Sequence, residues 1–123
     1  MEPFDEQSET MISQMPDDVR GIMSLIGGRL NEYYGELQSY GVTRIIAQWL
    51  FISIATYVVR TISRYRGTVE QRSAQILRDL RRDAAILFNA MYEYGIPAET
   101  VNEIILGVIR IILRNLRPEP APG

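Results

Sequence analysis

The sequence predicts an all-α protein: an antiparallel four-helix bundle with a short N-terminal arm and a Pro-rich C-terminal tail. Three observations carry this prediction. Apolar residues recur three or four apart over four long stretches, the spacing that lines one face of a helix. Glycine, proline or a capping hydroxyl stands at the boundaries between stretches. The connections left over are short, which makes consecutive helices antiparallel neighbours. A chain of 123 residues holds one core and is too short for two ordinary domains.

The first helix is expected over 17–40, where Val19, Ile22, Met23, Ile26, Leu30, Tyr33, Tyr34 and Leu37 share a face. Pro16 suits its entry because proline needs no N–H there, and Asp17 and Asp18 complement the positive end of the helix dipole. Gly27, Gly28 and Gly35 each weaken it by up to about 1 kcal/mol relative to alanine, so bends or close contacts are expected there. Gly41 ends it. Thr43 caps a second helix that runs to about Arg66 and stops at Gly67. Its centre, IIAQWLFISIATYVV, is apolar all round, which calls for full burial or for lipid. Arg44 and Arg60 bracket only fifteen residues, interrupted by Gln48, Ser53 and Thr56, whereas a membrane-spanning helix needs about 20 mostly apolar ones. A buried central helix is therefore expected.

Thr68 and Gln71 form a capping box at the start of a third helix. Its stripe of Val69, Ile76, Leu80, Ala84, Leu87, Phe88 and Met91 runs unbroken to Gly95, with Arg78, Arg81 and Arg82 on the opposite side. The fourth helix starts at Pro97 and is stopped by Pro118, with a narrow polar strip of Glu99, Glu103, Arg110, Arg114 and Arg117. The bundle thus occupies 17–117, the arm 1–16 and the tail 118–123. A bundle seam needs about three apolar positions in seven. The second and fourth helices exceed that, and surplus apolar surface is partner surface. Trp49, Phe51, Ile105, Ile109 and Ile112 are the expected subunit interface of an obligate assembly.

Cysteine and histidine are both absent, which removes disulfides, thiolate zinc sites, Cys or His nucleophile pairs and the commonest acid–base catalyst at neutral pH. Asp79/Asp83 and Glu99/Glu103 have the spacing of carboxylate metal ligands, but the Glu-x-x-His motif of di-iron bundles requires histidine. The two aspartates are expected to pair with Arg78 and Arg82. No enzyme, metal site or cofactor is predicted. The opening MEPFDEQSET is acidic where a secretory leader is basic, so no leader is predicted either.

All thirteen basic residues are arginine, and charge is segregated. Residues 1–19 sum to −6, residues 20–82 to +6 and residues 83–123 to −2. Within RTISRYRGTVEQRSAQILRDLRR, residues 60–82, seven arginines face only Glu70 and Asp79. The default for any one of them is a solvated helix face. As a group they straddle a tight turn with Tyr57 and Tyr65 among them, a pattern suited to a sugar–phosphate backbone. Arg60, Arg64, Arg66, Arg72, Arg78, Arg81 and Arg82 are the candidate phosphate contacts, with Arg20, Arg29 and Arg44 behind them. Nothing nearby suits reading of base edges, so binding is expected to follow shape and charge.

Two tracts, LQSYGVTR at 37–44 and MYEYGIPAETVNEIILGVI at 91–109, together with the helix order, resemble the major coat proteins of filamentous and rod-shaped archaeal DNA viruses, the rudivirus, lipothrixvirus and tristromavirus group. The likeness spans most of residues 20–113 and rests on Tyr-Gly helix ends and an aliphatic last helix. The resemblance implies a four-helix bundle with an N-terminal arm. Such subunits pair as homodimers, or as heterodimers with a paralogous coat subunit, and stack helically around double-stranded A-form DNA. It also implies a virion location, assembly in the host cytoplasm and, in some members, a lipid envelope. A-form geometry offers phosphates and a shallow minor groove, in keeping with sequence-blind arginines. Rod-shaped members have a longer, basic arm, whereas residues 1–15 here are short and acidic. Glu2, Asp5, Glu6 and Glu9 are therefore expected to meet arginines of a neighbouring subunit and not DNA. Two other readings fit the same residues: a small cytosolic interaction module whose arginines pair with a protein partner's acids, and a membrane-associated helical protein using the second helix.

Overall fold

The computed structural model describes residues 16–116, so residues 1–15 and the tail from 117 onward, including Arg117, lie outside the described residues. Every regular element in the described part is helical, with no strand. Six α-helices follow in order: α1 Asp17–Ile26, α2 Asn31–Ser39, α3 Arg44–Thr61, α4 Val69–Asp83, α5 Ala85–Glu93 and α6 Ala98–Asn115. Short 3-10 turns, Gly27–Leu30 and Ile62–Arg64, follow α1 and α3.

The first expected helix is split into α1 and α2 at Gly27-Gly28. The interruption is the 3-10 turn Gly27–Leu30, and neither glycine makes a close contact, since a Cβ at either would meet nothing within 4 Å. Gly35 lies inside α2 and breaks nothing. The boundaries after it follow the expected chemistry. Gly41 and Gly67 have φ of 91° and 108°, values at which a Cβ is strained. The Thr43 hydroxyl accepts the Ile46 N–H at 3.3 Å. Thr68 and Gln71 form the full capping box, with Gln71 N–H to Thr68 Oγ1 at 3.1 Å and Thr68 N–H to Gln71 Oε1 at 2.9 Å.

The third expected helix is not continuous. Ala84 leaves the helical region at φ −135° and ψ 50°, and the chain resumes as α5. In α4 the buried side is Ser73, Ile76 and Leu80, and in α5 it is Leu87, Phe88 and Met91; their spacing would put both sets on one face of an unbroken helix, so the apolar period does not account for the break.

The closing helix α6 is the hub. It packs on α1, α3, α4 and α5, while α3 lies against α1, α2 and α6. Consecutive α3 and α4, expected as neighbours from their short connection, approach each other less closely than either approaches α6. The core brings Ile26, Leu30, Leu37, Leu50, Ile54, Ile76, Leu80, Phe88, Met91 and Ile104 together with no exposed surface to speak of.

This arrangement corrects the interface prediction. Phe51, Ile105, Ile109 and Ile112 are fully buried within their own subunit, because a helix packed from several sides uses its extra apolar area internally. Of the five, Trp49 alone is only half-buried. The second helix is likewise not buried all round: Trp49, Ser53, Thr56, Tyr57 and Arg60 open onto a cleft. Among the described residues the large apolar side chains that do face solvent are Leu25, Ile86, Tyr92 and Tyr94.

Candidate nucleic-acid interface

The turn from α3 to α4 brings the arginines to one corner. Arg60 ends α3, and Arg64 and Arg66 follow it on the 3-10 turn and its exit; all three are exposed. Arg66 donates to the Ser63 carbonyl at 3.3 Å. Among the described residues no carboxylate lies within ion-pair distance of these three.

On α4 the arginines are partly compensated. Arg78 Nε sits 3.2 Å from Asp79 Oδ1, and Arg82 lies 2.9 Å from Asp83 through Nε and 3.7 Å from Asp79 through Nη1. The expected pairs therefore form. The Arg78 and Arg82 side chains nevertheless stay 73% and 69% exposed, so each guanidinium keeps donors free for a further acceptor. Arg81 is held differently: it donates to the Asn102 side chain on α6 and lies over the Phe88 ring, 5.3 Å from its centroid. Arg72 is half-buried, with its Nε enclosed and lacking a protein partner, which makes it the least accessible of the seven.

The tyrosines do something the sequence did not suggest. They were expected to interleave with cations; their hydroxyls bind the aspartates. Tyr57 Oη donates to Asp83 Oδ2 and Tyr65 Oη to Asp79 Oδ2, both at 2.7 Å. The two bonds lace α3 and the turn to α4. Hydrogen bonding from Tyr65, with help from Arg78 and Arg82, holds the Asp79 carboxyl below the usual carboxylate range. Arg82 and then Tyr57 do the same for Asp83. Loss of solvent and the bond to each aspartate push the phenols of Tyr57 and Tyr65 up. Both carboxylates thus stay charged and occupied near neutral pH.

Beside this corner lies a cleft of about 640 Å³ between α3 and the α4–α5 break. Its apolar lining includes Trp49, Ile52, Ile86 and Leu87, and Arg60 and Arg64 stand with Asp83 at its polar side. Neither Ile86 nor the cleft was legible beforehand, because both depend on the break at Ala84.

The weaker candidates are elsewhere. Arg20 and Arg44 border a second depression on the α1 side of α3, with Met23, Gln48 and Ile52. Arg44 stacks on the Tyr34 ring at 4.2 Å, and Arg20 lies 3.7 Å from Asp17. Arg29 is exposed on the turn between α1 and α2. Among the described residues no group of three or more acidic residues is placed to hold a metal ion. No family model matches the chain, and comparison with curated proteins and with solved structures gives no match.

Proposed function

We propose that this chain is a structural coat subunit that polymerises into a helical nucleocapsid and covers double-stranded DNA, in the A form, through sequence-independent arginine–phosphate contacts. The observation that carries the reading is the corner itself. Arg60, Arg64, Arg66, Arg78, Arg81 and Arg82 all remain exposed there, and its two aspartates are already engaged by tyrosine hydroxyls. A surface of this kind neutralises a phosphate backbone without reading bases. In this reading α1 with α2, α3, α4 with α5, and α6 are the four members of an antiparallel bundle. Copies of the chain, with or without a paralogous coat subunit, meet through the exposed Tyr92 and Tyr94. Each subunit needs few DNA contacts, because neighbours in a filament hold one another at high effective concentration. The location is then the virion, with assembly in the host cytoplasm.

The test is assembly with and without duplex DNA, followed by light scattering and electron microscopy. Filaments are expected only with duplex, and Arg78→Glu, Arg81→Glu and Arg82→Glu together abolish them. Normal packaging by that variant would remove the corner from the mechanism. A small oligomer under both conditions would favour the protein-interaction module instead.

One observation supports a lipid-facing second reading. The stretch Arg44–Arg64 is long and apolar enough to cross a membrane, and only 44% of that window is buried inside the protein. Pelleting with liposomes in the absence of nucleic acid is the outcome it requires, whether from a membrane-associated protein or from a coat under an envelope.

A further inference from the structure

The cleft between α3 and the α4–α5 break is built for an occupant that is both apolar and acidic. Trp49, Ile52 and Leu87 supply its apolar lining, and Ile86 stands 68% exposed at its edge. Arg60 and Arg64 stand at its polar side, where the one acid, Asp83, is already engaged by Tyr57 and Arg82. The site therefore presents positive charge beside hydrocarbon.

The chain carries a segment of matching chemistry. Residues 1–15 hold Glu2, Asp5, Glu6 and Glu9 with no base, and Phe4, Met11, Ile12 and Met15 among them. Its point of attachment is close. The segment joins the protein at Pro16, and Arg20 and Met23 of the following helix share a depression with Gln48 and Ile52 of α3. Ile52 borders that depression and the cleft alike, so the two lie on adjoining faces of one helix. Fifteen extended residues reach about 50 Å, far more than the crossing requires. A tethered segment also acts at millimolar effective concentration, which favours seating without a tight intrinsic fit.

We propose that residues 1–15 seat in the cleft of their own subunit, with the apolar side chains against Trp49 and Ile86 and the acids on Arg60 and Arg64. The arm is then an internal competitor for two of the corner's arginines. The further consequence, that duplex DNA must displace it, rests on the coat-protein reading; the seating does not.

Trp49 is the sole tryptophan and lines the cleft, so its fluorescence reports occupancy in the full chain with no nucleic acid present. Acrylamide is expected to quench it weakly. Replacing Glu2, Glu6 and Glu9 by Gln, Asp5 by Asn and Phe4 by Ala should open it to quencher, each exposed ion pair lost shifting the seated-to-open ratio by about twofold to fivefold. Arg60→Glu with Arg64→Glu should do the same, and adding arginine at positions 2, 5, 6 and 9 to that variant should restore protection. Circular dichroism confirms that each variant is folded. Quenching unchanged in both variants overturns the seating, as does protection that is lost on dilution, which would assign the occupant to a second copy. The DNA consequence is read separately: if the arm variant opens the cleft yet binds duplex no more tightly than the parent, the competition fails and the seating stands.

Discussion

Two tyrosine–aspartate bonds, Tyr57 to Asp83 and Tyr65 to Asp79, shape the charge of the arginine corner and set its pH limits. A phenol whose folded-state pKa is raised favours the neutral form, so its contribution is whole below the ordinary tyrosine value and fades as pH rises through the folded one. Denaturant midpoints should therefore hold to about pH 9 and fall beyond about pH 10, while phenolate absorbance shows Tyr57 and Tyr65 titrating late together with Tyr33 and Tyr34, whose phenols burial also raises. The aspartates work in the opposite sense. Their lowered folded-state pKa values stabilise above the ordinary carboxylate range and cease to do so as pH falls through them, which places the acid loss below about pH 4. Tyr65→Phe, which strips a bond to a carboxylate only 15% exposed, should cost about 1–2 kcal/mol in urea unfolding. It should also abolish one of the late titrations. Gly107 poses a steric test of another kind. A Cβ there would meet the Tyr33 hydroxyl, the far end of a half-buried side chain, so Gly107→Ala should turn that ring aside and gain up to about 1 kcal/mol of helix propensity in urea unfolding. A variant less stable than the parent would mean that the Tyr33 ring is held in place.

The elements explain what could be read in advance and what could not. Their ends were legible because local chemistry determines them: Thr68 with Gln71, Thr43, Gly41 and Gly67 act within a turn of the chain, and the glycine pair at 27–28 marks the 3-10 turn between α1 and α2. Thr68→Ala should accordingly cost about 1 kcal/mol, seen as a lower urea midpoint without a change of slope. The break at Ala84 was not legible. No glycine or proline marks it, and the apolar period runs straight through it, so nothing local in the sequence signals it. The same limit applies to α6. Its broad apolar face reads equally well as partner surface or as a hub, and only the packing of α1, α3, α4 and α5 around it decides. The arginine corner was legible as a cluster of charge, whereas its tyrosine–aspartate bonds and the adjoining cleft needed the three-dimensional path. Separating hub from interface is a direct measurement. Ile105→Ala should cost about 2–5 kcal/mol of folding stability as a core truncation, whereas truncating a true interface residue would raise the concentration below which the oligomer dissociates and leave the subunit's own unfolding alone.

At the scale of the whole molecule the decisive property is segregation: a net charge of −2 conceals a basic centre between acidic ends. For a free subunit this limits non-specific attraction to polyanions; under the proposed coat function, a polymer would set one basic corner per subunit beside its neighbours, and their fields would add along the duplex. Binding driven in this way must weaken steeply with salt, with a log–log slope of roughly −0.9 for each phosphate neutralised on B-form DNA. Arg60→Gln, Arg64→Gln and Arg66→Gln, which have no acid partner to lose within the described residues, should flatten that slope by roughly 0.9 apiece at a fixed binding-site size. Arg72→Gln should flatten it least, since its guanidinium is partly enclosed. The loss should be uniform across duplex sequences, because phosphate contacts position a protein without discriminating bases. A salt slope that survives all three substitutions would place the DNA on another face, and a loss confined to particular sequences would point to base contacts that this corner is not built to make.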